Sequence, residues 1–299
     1  MNILIIGAGR IGRAFEYMVQ GHGNGATIEI CDSVVGKCPE QRPLAETAPT
    51  ADIIFLCTLS TAVREVLSEI APLIKPSALV VSVVKGIEQG THKTMDTVIE
   101  ESLKGRAAWC MIIGPMLAEE IIAGQGSAGV VASHDVHALE LLRTIISPRD
   151  LHLEFSTDVR GVALSGVLKN IFALGLGIAD GLGWGANRKG WLMTRAIIEM
   201  RAILGALGGD PVSADGPAGL GDLVATGTSP HSRNRATGHE IVTTGLINPT
   251  SEGVISCASL RELLSAQKLT THLIFLETIF NVMLYNAQTE KEFEKMLLL

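Results

Sequence analysis

The sequence is short of the features that mark several classes of protein. Its five cysteines, Cys31, Cys38, Cys57, Cys110 and Cys257, are odd in number and include no C-x-x-C pair. That speaks against a disulfide framework and for reduced thiols, with Cys31, Cys57 and Cys110 in or beside apolar runs. Basic residues are the minority: 24 Lys and Arg against 31 Asp and Glu give a net charge of -7. Nucleic acid and anionic membrane are thereby disfavoured as general partners. A small anionic substrate is not, because a local cationic cluster can outweigh the global sign. The eight histidines lack metal-ligand spacing; His134 and His137, three apart, fall in a segment that reads as an exposed turn, so no metal is expected. The longest apolar stretch, 161–179, is broken by Lys169 and Asn170 and rich in glycine, so no stable membrane insertion is expected. Residues 2–6 run directly into a glycine turn, which reads as fold rather than leader, and the expected location is cytoplasmic.

What is present is a well-filled globular chain. With 47% hydrophobic and 18% charged residues over 299 positions, it can bury a large core and suits about two domains. Short apolar runs at 2–6, 27–31, 53–57, 78–84, 108–113 and 128–131 alternate with helical patterns at 10–20, 61–74 and 92–103. This alternation predicts an α/β fold, a doubly wound parallel sheet covered by helices, over residues 1–155. From 156 to 299 strand signals almost vanish. Helices are expected near 159–180, 187–207, 217–226, 232–243, 251–267 and 271–286, forming an all-helical substrate-binding domain.

Gly7-Ala8-Gly9-Arg10-Ile11-Gly12 is a G-x-G-x-x-G loop between a strand and a helix. The first glycine permits the turn, the second lets a pyrophosphate approach, and the third packs helix on strand, with helix N–H groups facing the phosphates. Asp32 ends the second strand and is placed to accept from adenosine ribose hydroxyls while repelling a 2′-phosphate. NAD is the expected cofactor; Lys37 nearby leaves NADP open.

The chemistry is expected in the second half. Lys169, followed by Asn170, sits in an apolar helix where a lysine is costly to bury unless paired or used. Asp180, about three turns on, falls on nearly the same face. Asp222 and Thr226 are four apart and share a helix face. In Ser232-Arg233-Asn234, an arginine at a helix start can grip a phosphate. Trp184 and Trp191 read as packing residues.

Lys85-Gly86-Ile87-Glu88, Gly114-Pro115, Leu168-Lys169-Asn170, Asp180-Gly181-Leu182-Gly183, Gly219-Leu220-Gly221-Asp222-Leu223 and Ser232-Arg233-Asn234 occur in the order and at about the spacing of bacterial glycerol-3-phosphate dehydrogenase. The chain resembles that family over nearly its whole length. The resemblance implies a Rossmann domain, a helical domain like the C-terminal part of 6-phosphogluconate dehydrogenase, and a homodimer. It implies interconversion of dihydroxyacetone phosphate and sn-glycerol 3-phosphate, with Lys169 as proton donor and acceptor and Asp222 beside it. It further assigns Lys85 to substrate and cofactor, Gly114 to the substrate loop, Ala118 to the cofactor, and Glu252 to the nicotinamide end. Ser232, Arg233 and Asn234 hold substrate and phosphate, with Arg233 also near the cofactor and Arg10 and Ile11 in the cofactor loop. Three departures stand out. Gly114-Pro115-Met116-Leu117-Ala118 replaces the family's usual Gly-Pro-Ser-Phe-Ala, Arg10-Ile11 stands where the bacterial family often has serine and an aromatic residue, and Asp32 where many bacterial members carry a basic residue. Another small phosphorylated keto or hydroxy substrate, or a non-catalytic NAD-binding sensor, remain the alternatives.

Overall fold

The computed structural model describes residues 1–22, 25–34, 36–265, 267 and 271–298. Position 266 of the helix expected over 251–267, and residue 299, lie outside the described residues. The chain divides into two compact units, residues 1–85 with 94–159, and residues 86–93 with 160–299.

In the first unit, β1 (Asn2–Ile6), β2 (Thr27–Cys31), β3 (Ile53–Leu56), β4 (Leu79–Ser82), β5 (Ala108–Ile113), β6 (Ala128–Ala132) and β7 (His152–Ser156) form one sheet. Its order is β2-β1-β3-β4-β5-β6-β7. Ile3 to Ile6 and Ile53 to Leu56 are buried on both faces, as a parallel sheet with helical cover requires. The sheet departs from the all-parallel expectation at one pairing: β6 runs antiparallel to β5, while β7 pairs parallel with β6. β7 had no signal in the sequence because His152 and Glu154 are exposed, so HLEFS does not read as a buried run. The covering helices are α1 (Arg10–Gly21), α2 (Leu44–Thr47), α3 (Val63–Ile70), α4 (Met95–Leu103), α5 (Ala118–Ile122) and α6 (His137–Arg143).

The second unit is helical: α7 (Val159–Gly181), α8 (Ala186–Ala206), α9 (Asp222–Thr228), α10 (Arg233–Thr244), α11 (Glu252–Ser265), α12 (Ile274–Tyr285) and α13 (Thr289–Met296). α7 is apolar all round, the pattern of a helix with neighbours on every side. It is long and apolar enough to cross a membrane, yet its most apolar 18-residue stretch is wholly buried within the fold. Its glycines let other helices come close: a Cβ on Gly177 would stand 2.0 Å from the Arg235 carbonyl oxygen, and one on Gly238 2.0 Å from that of Leu174. Phe172 stacks on Phe275 at 5.4 Å, and Trp184 meets Phe293 edge-on at 5.5 Å. The packing role read for Trp184 thus holds, whereas Trp191 is exposed. α13 escaped the sequence reading because TEKEFEKM is mostly charged; only Phe293 and Met296 enter the core.

Candidate active site

The glycine loop joins β1 to α1. Gly7 has φ +104°, a left-handed backbone that only glycine adopts readily. A Cβ on Gly12 would lie 1.9 Å from the Gly7 carbonyl oxygen, so α1 can start here only without a side chain. Gly9 differs: nothing lies within 4 Å of where its Cβ would be. The backbone is left open at the N-terminus of α1, where N–H groups and the helix dipole favour a phosphate. The residues present therefore fit a dinucleotide. Arg10 is ion-paired with Glu119 of α5, and Ile11 packs partly into the sheet's core.

Asp32, just past β2, is tied to this loop. Its Oδ2 accepts from the Ala8 N–H at 2.9 Å and from Lys37 Nζ at 3.1 Å, and its Oδ1 from the Val34 N–H at 2.8 Å. Burial opposes ionisation, but the donors from Val34, Lys37 and Ala8 prevail and hold the carboxyl below its ordinary range. Three of about four acceptor positions of this carboxylate are occupied by the protein itself. Two strands beyond β1 in the sheet, after β4, Lys85 Nζ donates to the Gly114 carbonyl at 3.1 Å. Gly114 permits a close approach of β6: a Cβ there would be 2.4 Å from the Ala128 oxygen. Met116 is only 8% exposed and packs in the apolar core of the sheet, which accounts for an apolar residue at this position of the loop. Ala118 is the buried first residue of α5.

Within the helical unit, Lys169 is 6% exposed in the middle of α7. Its Nζ donates to Thr226 Oγ1 at 2.8 Å and lies 3.0 Å from Asp222 Oδ1; Thr226 Oγ1 in turn donates to Asp222 Oδ1 at 3.0 Å. All three side chains are buried. A π-helical turn, Pro217–Gly221, precedes Asp222, a widened backbone of the kind that recurs at functional sites. Asp180 is about three turns along the same helix, α7, from Lys169, hence about 16 Å away along its axis, and its carboxylate binds Lys189 Nζ at 2.7 Å and Arg235 Nε at 2.6 Å.

Ser232 is the N-cap of α10, its Oγ accepting from the Arg235 N–H at 3.2 Å. Arg233, the first helical residue, is exposed and makes no ion pair among the described residues. Asn234 is buried: its Oδ1 accepts from Ser251 Oγ and the Gly253 N–H, and its Nδ2 donates to Asn170 Oδ1. Glu252 opens α11, half-buried. Of the two side-chain partners of Asn234, Asn170 is legible in the sequence as the polar neighbour of Lys169, without a role of its own, and Ser251 is not. Ser251 could have been found as a helix-capping serine before an apolar segment.

Among the described residues no group of three His, Cys, Asp or Glu side chains is placed to hold a metal ion. Comparison with known proteins finds matches in both units. Residues 37–139 match the model of the NAD-dependent glycerol-3-phosphate dehydrogenase N-terminus, and residues 158–294 that of its C-terminus. A protein of Mycobacterium avium named glycerol-3-phosphate dehydrogenase (NAD(P)+) is 38% identical over 217 residues, 73% of this chain and 62% of that protein. One of the same name from Dehalococcoides mccartyi is 36% identical over 264 residues, covering 85% of this chain and 73% of the relative. The crystal structure of glycerol-3-phosphate dehydrogenase from Coxiella burnetii superposes with a TM-score of 0.85 at 25% identity, over 99% of this chain and 98% of that one. With an open glycine loop in one unit, a buried Lys169–Asp222–Thr226 cluster in the other, and matches spanning both, this chain belongs to the NAD-dependent glycerol-3-phosphate dehydrogenase family.

Proposed function

We propose that the protein interconverts dihydroxyacetone phosphate and sn-glycerol 3-phosphate with NAD as its preferred dinucleotide, and that Lys169 is the proton donor and acceptor at the substrate C2 oxygen. The observation that carries this reading is the ammonium of Lys169, buried in an apolar helix and held by Asp222 and Thr226. A buried ammonium costs several kcal/mol unless it is paired, and a paired one with a proton to give suits a reaction that creates an alkoxide. The dinucleotide, when bound, supplies the hydride. Lys169 protonates the developing alkoxide in reduction and takes the proton back in oxidation. Asp222 and Thr226 keep Nζ in one position throughout.

Arg233, at the start of α10, is the anchor for the phosphate dianion, with Ser232 and Asn234 beside it in sequence; the family resemblance assigns Lys85 and Gly114 to the substrate as well. Gly7, Gly9, Arg10, Ile11 and Gly12 form the dinucleotide loop, and Ala118 and Glu252 serve the cofactor's other end. The Asp32 carboxylate favours a ribose hydroxyl over a 2′-phosphate, while the proximity of Lys37 moderates that preference. The resemblance to the family also supports a cytoplasmic homodimer without membrane insertion. Exposed Trp191 and Ile198 on α8 and the free state of all five thiols are consistent with it. Light scattering after gel filtration measures the dimer directly.

The test of activity is NADH oxidation with dihydroxyacetone phosphate, repeated with NADPH. Lys169→Ala is expected to lower kcat by about 10²–10⁴ while NADH binding persists. Undiminished turnover in that variant removes the mechanism.

A further inference from the structure

Asn234 stands in the middle of a buried chain of hydrogen bonds within the helical unit. Its Oδ1 accepts from the Gly253 backbone N–H at 3.0 Å and from Ser251 Oγ at 2.6 Å, and its Nδ2 donates to Asn170 Oδ1 at 2.8 Å. Asn234, Ser251 and Asn170 are all nearly closed to solvent. The direction of this chain is dictated by one group. A backbone N–H can only donate, so the atom of Asn234 that faces Gly253 must be its oxygen. The amide nitrogen then faces Asn170, which must answer with its own oxygen. The NH2 group of Asn170 is left as the far pole, without a hydrogen bond to any described residue. Gly253 is the second residue of α11, and its N–H is one of the donors that a helix start leaves without an intrahelical partner. Bulk at position 253 is excluded, since a Cβ would stand 2.6 Å from the Asn170 carbonyl oxygen.

We propose that Ser251 and the Gly253 N–H are positioning groups: acting through Asn234, they turn Asn170 so that it offers N–H donors to an acceptor oxygen of the substrate, one residue from Lys169. The inference rests on the dehydrogenase reading above and deepens it. A carbonyl, alkoxide or phosphate oxygen satisfies the pole. An ammonium at the same place meets donor with donor, so the site selects oxygenated three-carbon phosphates over their amino analogues.

Ser251→Ala removes one of the two donors. It is expected to raise KM for dihydroxyacetone phosphate roughly three- to tenfold, with kcat and KM for NADH within about twofold. Ser251→Thr, which keeps the hydroxyl, is expected to restore the wild-type KM. Asn234→Asp reverses the chain. A carboxylate keeps the bonds from Ser251 and Gly253 but demands a donor from Asn170, turning that amide over. Its kcat/KM is expected to fall on the order of a hundredfold. In the wild type, a scalar coupling across the hydrogen bond from the Gly253 nitrogen to the Asn234 side-chain carbonyl carbon is expected by NMR. A wild type that turns over dihydroxyacetone phosphate, beside Ser251→Ala with unchanged KM and Asn234→Asp with activity within threefold, overturns this proposal and leaves the function standing. Absence of the coupling also overturns it. A wild type without turnover overturns the function and this proposal together.

Discussion

Glu199 gives the strongest quantitative test of the fold. It lies in α8 at 0% exposure, and its two carboxyl oxygens accept from the Phe275 and Leu276 N–H groups, each at 2.9 Å. It thus caps the first turn of α12. Arg195 Nη2 lies 3.6 Å away, on the same helix. Burial outweighs these favourable partners and raises the carboxyl from its usual 4.5 to about 7. The sign follows from linkage. A folded-state pKa above the unfolded one means that the native protein binds the extra proton, so this group's stabilisation is present below about pH 4.5 and is lost as pH rises through 7. A rise of about 2.5 units at ~1.36 kcal/mol each corresponds to about 3 kcal/mol. Glu199→Gln has no proton to lose here. It also places an amide N–H toward a backbone donor, a cost that does not vary with pH. The difference in unfolding free energy between Glu199→Gln and wild type should therefore shift by about 2.5 kcal/mol in the variant's favour between pH 5 and pH 8, most of the full effect. Urea unfolding followed by tryptophan fluorescence measures it, because Trp184 packs in the same helical core. Two curves that stay parallel across this range would refute the assignment.

Other outcomes follow from the same structure. Gly12→Ala places a methyl group against the Gly7 carbonyl and should destabilise the first unit by roughly 3 kcal/mol or more, with loss of NADH binding by fluorescence. Burial pushes the thiols of Cys57 and Cys110 well above the ordinary range and that of Cys257 up to about 12, and it does the same for Cys31. An aromatic disulfide reagent at pH 8 should therefore label about one thiol, Cys38, in the native protein and all five after unfolding; rapid native labelling of several contradicts the packing. Wild type should favour NADH over NADPH in kcat/KM, and Asp32→Arg should reverse the order. A wild-type preference for NADPH refutes the role given to Asp32.

The sequence alone determined the division into an alternating α/β half and a helical half, the glycine loop, and the placement of lysine, aspartate and threonine on helix faces. These are local matters. Two-sided apolar runs announce buried parallel strands, and glycine spacing announces a turn that a Cβ would block. Asp222 and Thr226, four apart, could be paired from helix geometry before any coordinates. What depends on contacts between distant segments was not legible. The antiparallel β6 and the edge strand β7 are set by pairing partners, which a half-polar run of five residues does not name. Asp222 beside Lys169 was legible only through the family resemblance: the contact joins segments more than 50 residues apart, while Asp180, three turns along the lysine's own helix and thus about 16 Å away, binds Lys189 and Arg235. The polarity of the Asn234 amide came from a helix start 19 residues away. Charge and hydrogen-bond direction inside a core are settled by which groups arrive from elsewhere in the chain, and only the tertiary structure brings those groups within reach of one another.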